Sequence, residues 1–250
     1  MAPYKKALAD FEEVLRRAPE VGLTVNNRGN AHARIGEWVE QQGEDPREEY
    51  RLALADYERS LASGPRYAFA VFNRAQVKMC LAHAERLHDG DPEPFLVEAM
   101  KDFDAYLVLC PGNLSGTVAR ALVHLERGAA KVERDVDPRE DYRAAIEALN
   151  EAIASRPNFT KARYNRGQAW LLMGKWEESQ DGDFRASFAR GLAEFEAMVR
   201  IAPDDPTGYE GRATARLNLA EGLFHRGEAA DDLLAQGIAD LDQALARGAA

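Results

Sequence analysis

Large and small apolar residues recur along the chain at helical spacing, in two alternating kinds of segment. In the first kind a small residue is followed four positions later by a large one: Ala7 and Phe11, Ala53 and Tyr57, Ala99 and Phe103, Ala145 and Leu149, Gly191 and Phe195, Gly237 and Leu241. Residues four apart share one face of a helix, so each pair marks a buried stripe. In the second kind two small residues stand seven apart: Gly29 and Gly36, Ala75 and Ala82, Ala121 and Gly128, Gly167 and Gly174, Ala213 and Ala220. These also share a face, and they let a neighbouring backbone approach closely.

Both patterns step by 46 residues. Proline stands at 19, 65, 111, 157 and 203, and nine residues after each comes Arg28, Arg74, Arg120, Arg166 or Arg212. A turn falls in the middle of each repeat, at Gly43-Glu44-Asp45-Pro46, Asp89-Gly90-Asp91-Pro92, Asp135-Val136-Asp137-Pro138 and Asp181-Gly182-Asp183-Phe184. Asp is a good helix N-cap and Pro suits the first helical turn. The pattern predicts helices over 4–18, 21–42, 46–63, 67–88, 93–109, 114–134, 138–155, 159–180, 184–201, 206–227 and 230–247. The fold class is therefore all-α, a solenoid of stacked antiparallel hairpins. It reads as a single domain over 1–250, with a half-repeat at 1–19 and repeats at 20–65, 66–111, 112–157, 158–203 and 204–250.

The residues Asn27-Arg28-Gly29-Asn30-Ala31 and Asn165-Arg166-Gly167-Gln168-Ala169 carry a family resemblance. So do the runs Ala53, Tyr57, Pro65 and Ala99, Phe103, Pro111. Together they resemble the tetratricopeptide repeat, over nearly the whole chain. The family period is about 34 residues, and here it is longer, so both helices of each hairpin are expected to be long. Val25, Val71 and Thr117 replace an aromatic residue common in the family's first helix. The resemblance implies a right-handed superhelix whose first helices line a concave groove for extended peptides or partner helices. Its groove positions fall four, seven, eight, eleven and fifteen residues after each proline.

In the first repeat these positions are Leu23, Asn26, Asn27, Asn30 and Arg34; in the second, Phe69, Phe72, Asn73, Gln76 and Cys80; in the fourth, Lys161, Tyr164, Asn165, Gln168 and Leu172. An amide both donates to and accepts from a peptide backbone, so Asn26, Asn27, Asn30, Asn73, Gln76, Asn165 and Gln168 are candidate ligand contacts. Phe69, Phe72 and Tyr164 would add apolar contact and Lys161 a charge. The alternative for the asparagines is to cap turns or bond within their own hairpin, and for the aromatics to join the core. Only Lys161 and Arg34 offer cations at these positions, which argues against a clamp for a C-terminal carboxylate. The Arg column is expected to pair with Asp10, Asp56, Asp102 and Glu194 of the preceding second helices, leaving Arg166, opposite Ala148, in need of another partner.

Charge and composition narrow the function. The net charge of −10 disfavours nucleic acid or an anionic membrane as partner, since phosphate contacts need excess Lys and Arg. Residues 204–250 carry nine acids against four bases. No apolar run approaches the length of a membrane helix, and the start of the sequence has no signal-like stretch, so a cytoplasmic setting is expected. Cys80 and Cys110 are placed too far apart to bridge. His32, His83, His88, His124 and His225 show no zinc-binding spacing, and no phosphate-binding or nucleophile motif occurs. Neither a catalytic centre, a metal nor a cofactor is expected. The expected function is a protein-interaction scaffold. The alternative is a self-associating segment of a larger signalling protein, joined through its uncovered first and last helices.

Overall fold

A computed structural model describes residues 2–19, 22–64 and 66–248. Pro65, one of the phased prolines, lies outside the described residues, as do Glu20 and Val21 at the start of the first repeat. The described residues form eleven helices and no strand: α1 (Ala2–Arg17), α2 (Gly22–Gln41), α3 (Arg47–Ser63), α4 (Ala68–Leu87), α5 (Glu93–Leu109), α6 (Leu114–Glu133), α7 (Arg139–Ser155), α8 (Thr160–Ser179), α9 (Arg185–Ile201), α10 (Pro206–His225) and α11 (Asp231–Gly248). Each end lies within two residues of the sequence expectation. None of these helices is long and apolar enough to cross a membrane.

The residues fall into two compact units, divided within α6 between Glu126 and Arg127. In the first, α2 pairs with α3 and α4 with α5, and α1 packs on α2; in the second, α8 pairs with α9 and α10 with α11, and α7 packs on α8. The first helix of each full hairpin has 20 residues, and the second has 17 in α3, α5, α7 and α9. Together they exceed the whole ~34-residue family period, so the lengthening lies in the helices, as expected.

Two devices repeat in phase at the turns inside the hairpins, the first in all five and the second in four. Gly43, Asp89, Asp135, Asp181 and Gly227 take positive φ, between 55° and 75°. The N–H of the next residue then reaches a carbonyl five back, as from Gly90 to Glu85 at 2.7 Å and from Val136 to Lys131 at 2.8 Å. This closure satisfies the last carbonyls of the first helix. Two residues on, Asp45, Asp91, Asp137 and Asp183 accept from the backbone N–H of Arg47, Glu93, Arg139 and Arg185 at 2.9–3.2 Å. They cap the second helix as the sequence predicts.

The small and large columns meet inside the hairpin. A Cβ on Gly29 would stand 2.9 Å from the Tyr57 ring, and one on Gly36 2.5 Å from the Tyr50 ring. In the second unit Gly167 faces Phe195 and Gly174 faces Phe188 in the same way, at 2.7 Å each. The rings are fully buried, and each needs a partner position without a side chain.

The arginine column corrects the expected pairing. Arg28 bonds Asp56, not Asp10; Arg74 bonds Asp102, not Asp56; Arg212 bonds Asp240, not Glu194. Arg166, expected to lack an acid, bonds Glu194. All four reach the carboxylate 28 residues on, in their own hairpin, so the ladder does not link successive repeats. Arg120 has Ala148 at that offset and turns back to Asp104 on α5, at 2.7 Å. The buried Asp102 is clamped from α4 by Arg74 at 2.6 Å and Lys78 at 2.8 Å. The spacing of Arg74 and Lys78, one helical turn, brings both onto one carboxylate.

Removing one partner of a buried pair leaves the other charged and dry. Asp102→Ala is expected to cost roughly 2–4 kcal/mol, less than a fully buried pair because Arg74 still reaches water. Adding Lys78→Met should restore part of that loss. Urea denaturation of both variants checks this, and a loss well under about 1 kcal/mol for the single variant would contradict the clamp.

Candidate functional site

The first helices α2 and α4 abut through their side-chain amides. Asn73 Nδ2 donates to Asn30 Oδ1 at 3.0 Å and to Asn26 Oδ1 at 3.3 Å. Asn26 Nδ2 donates in turn to Asn27 Oδ1 at 3.4 Å. From α3 the Tyr57 hydroxyl donates to Asn30 Oδ1 at 2.8 Å. With two donors on Asn30 Oδ1, the Asn30 amide can only turn its Nδ2 outward. Asn73 Oδ1 is likewise left as an acceptor, because both its amide protons are used. Burial, the main cause, pushes the Tyr57 hydroxyl well above its ordinary pKa, so it stays a neutral donor.

Next to this bridge opens a cleft of about 420 Å³, lined by Asn30, Ala33, Arg34, Glu37, Tyr57, Asn73, Gln76, Val77 and Cys80. Among the described residues no bond takes Asn30 Nδ2, Asn73 Oδ1 or the exposed Gln76 amide, so a donor, an acceptor and a group of both kinds face the opening. Arg34 is paired with Glu37 at 2.7 Å. Burial, followed by the charges of Glu37, Glu40 and Glu126, pushes the Cys80 thiol up to about 12. Such a thiol is protonated at neutral pH and is no nucleophile.

Five of the sequence candidates thus come together: Asn26, Asn27, Asn30, Asn73 and Gln76. The aromatic candidates divide. Phe72 turns inward, its ring 5.6 Å from Phe103 and 4.8 Å from Tyr106, and serves the core. Phe69 is 68% exposed, one helical turn before Asn73, and Leu23 is 59% exposed, one turn before Asn26 and Asn27. In the second unit Lys161, Tyr164, Asn165 and Gln168 lie on α8. Asn165 is buried and donates to the Lys161 carbonyl at 2.8 Å, inside its own helix. Tyr164 packs edge-on against Phe195 at 5.9 Å. Lys161 is exposed and Gln168 half-buried.

Sequence reasoning missed Tyr57 as a site residue, because its column reads as a large core position. The signal was the phenol itself, where the column otherwise holds Phe or Leu. It also missed Glu37, which stands one turn beyond Arg34. Both cysteines are free. Among the described residues no three His, Cys, Asp or Glu side chains converge as metal ligands.

Residues 139–206 match the family model of the tetratricopeptide repeat. Solved structures share the fold. A tetratricopeptide repeat protein from Parabacteroides merdae aligns with a TM-score of 0.60 at 16% identity, over 95% of this chain and 78% of that one. YrrB, described as a TPR protein with an unusual peptide-binding site, aligns at 0.53 and 17% identity, over 96% and 98%. TTC0263, a thermophilic TPR protein of Thermus thermophilus, aligns at 0.52 and 16% identity, over 88% and 97%. No curated protein matches the sequence.

The half-buried Cys80 thiol gives a direct check on the cleft. At pH 8 Cys80 should react with iodoacetamide about a thousandfold more slowly than an unperturbed thiol, as its raised pKa dictates. Peptide mapping by mass spectrometry should find Cys80 unlabelled in the folded protein and labelled in urea. Rapid labelling of folded protein would contradict the raised pKa.

Proposed function

We propose that this chain, a solenoid of tetratricopeptide type, binds a protein or peptide partner, with the cleft between α2 and α4 as its peptide site. The repeat is generally a non-enzymatic scaffold, and the chain acts here by recognition, without metal or cofactor. The observation that carries the reading is the oriented amide set. Asn30 presents a donor, Asn73 an acceptor and Gln76 both, which is the complement of an extended backbone. Amides held by bonds to one another lose little freedom when a ligand arrives, so less of the interaction is spent on ordering. The peptide-binding site named for YrrB lends the fold a precedent. The exposed Lys161 and half-buried Gln168 of α8 are a lesser candidate contact in the second unit. The net charge of −10 favours a protein over a nucleic acid as the partner.

The test is to select binders from a random peptide library and titrate them by calorimetry. Asn73→Ala with Gln76→Ala should weaken binding about tenfold or more, since each lost hydrogen bond contributes roughly 0.5–1.5 kcal/mol. Selection of no peptide at all, or equal binding by the variant, would overturn the assignment.

A second reading, self-association, is favoured by one observation. In the Leu234 column the residues of the other second helices, Tyr50, Leu96, Tyr142 and Phe188, are buried; in the Leu241 column so are Tyr57, Phe103, Leu149 and Phe195. On α11 both positions are exposed, together with Ile238 and Leu245. Their spacing of four, three and four is that of a two-helix seam. Asp231 and Asp232 open this helix and Arg247 closes it, so an antiparallel second copy would meet opposite charge at both ends. Light scattering should then show a dimer that Ile238→Glu with Leu245→Glu dissolves. A wild-type protein that stays at the 27.7 kDa monomer mass at high concentration would remove this reading.

A further inference from the structure

The two ends of the α2/α4 cleft differ in chemistry. One turn before the amide bridge, Leu23 and Phe69 stand exposed on the same helix faces as Asn27 and Asn73. Asn73 holds the two helices together here, so the two apolar side chains flank one end of the cleft. The Tyr67 ring meets Phe69 edge-on at 6.0 Å and widens this apolar end.

Carboxylates gather at the opposite end. The charges of Glu37 and Glu40 from α2 and of Glu126 from α6 all act on Cys80, which lines the cleft. Three cationic or titratable groups answer them. Arg34 is bound to Glu37 at 2.7 Å, and Arg86 stands 3.7 Å from Glu126. His83 lies between the remaining acids, with Nε2 3.8 Å from Glu40 and Nδ1 3.7 Å from Glu126. The Tyr50 hydroxyl of α3 donates to Glu40 at 3.0 Å. His83 Nδ1 also lies 3.0 Å from Arg86 Nη2, and a guanidinium can only donate, so the ring accepts there when it is neutral. While His83 is neutral, above its pKa, three carboxylates face two guanidinium groups, and this end is net negative.

We propose that the cleft selects a peptide segment with a large apolar side chain at one end and a lysine or arginine about six residues away. This rests on the peptide-binding assignment above and adds its side-chain specificity. Glu37 is fourteen residues beyond Leu23, and His83 is fourteen beyond Phe69. On a helix that is about 21 Å, which an extended strand covers in roughly six residues at ~3.3 Å each. The oriented amides of Asn30, Asn73 and Gln76 lie between the ends and hold the intervening backbone. The basic side chain takes the unbalanced negative charge beside Cys80, and Leu23 and Phe69 cover the apolar one.

A cation arriving here competes with a proton on His83. The nearby Glu126 carboxylate is the main cause that raises that pKa above its ordinary 6.5, against burial and Arg86. A protonated His83 cancels the excess negative charge, so binding should be full above the raised pKa and weaken as pH falls through it.

The experiment is to pan a random dodecamer library on the full chain and titrate the winners. The expected consensus places Phe, Leu or Trp five to seven positions from Lys or Arg, in one fixed order. Replacing that Lys or Arg by Glu in the selected peptide should weaken binding at least tenfold. Phe69→Ser and Glu37→Gln should each weaken it several-fold, and His83→Gln should flatten the dependence between pH 8 and pH 5.5. Winners without the paired pattern, or binding that ignores salt between 50 and 500 mM, would overturn the specificity and leave the peptide site standing. A library that yields no binder would defeat the peptide site itself.

Discussion

The fold depends on large side chains of one helix packing against small residues of its hairpin partner. In two hairpins, α2/α3 and α8/α9, the second helix sends buried rings at two levels, Tyr50 and Tyr57 against Gly36 and Gly29, and Phe188 and Phe195 against Gly174 and Gly167. A ring needs the space a Cβ would occupy, so the two helices cannot slide past one another by even one residue without overlap. Two such contacts, one near each end of the hairpin, fix the register along its length. The ion pairs 28 residues apart, the turn closures and the Asp caps all keep the 46-residue phase because this packing sets it.

That dependence explains which parts of the structure were legible. Small and large columns identify paired helices directly, since the packing they describe is local to one hairpin. The turns were legible for the same reason: Gly or Asp at positive φ and Asp before Pro are demands of the backbone itself. The partners of the arginines were not. In a chain of period 46, an acid 18 residues before an arginine and one 28 residues after it belong to the same column. Asp56 is behind Arg74 and ahead of Arg28, so each choice leaves one arginine facing Ala148. The sequence is symmetric between them. The packing breaks that symmetry, because the ring contacts hold a first helix tightly against its own second helix.

The candidate site was legible in position and illegible in function for a related reason. The groove register named Asn26, Asn27, Asn30, Asn73 and Gln76, and these do come together. It gave Asn165 the same weight, yet that side chain bonds its own helix. It gave Phe72 the same weight as Phe69, although one ring is core and the other exposed. A register assigns a helix face; it does not say whether a polar group on that face is already satisfied. Satisfaction depends on the neighbouring helix, and so on residues up to 47 positions away, as for Asn73 and Asn26.

Tyr57 shows how one hairpin departs from its copies. At this column the chain has Phe103, Leu149, Phe195 and Leu241 in later repeats, all able to fill the core but none able to donate a hydrogen bond. Only a phenol both fills the space beside Gly29 and reaches Asn30. Its proton fixes which way the Asn30 amide turns, and the bond from Asn73 fixes the next. One hydroxyl added to a core ring thereby converts a packing position into the anchor of a polar row, without disturbing the register on which the fold rests. Repeats of this kind can diverge in what they bind while remaining alike in how they pack, because the ring face answers to the core and the ring's far edge to the groove.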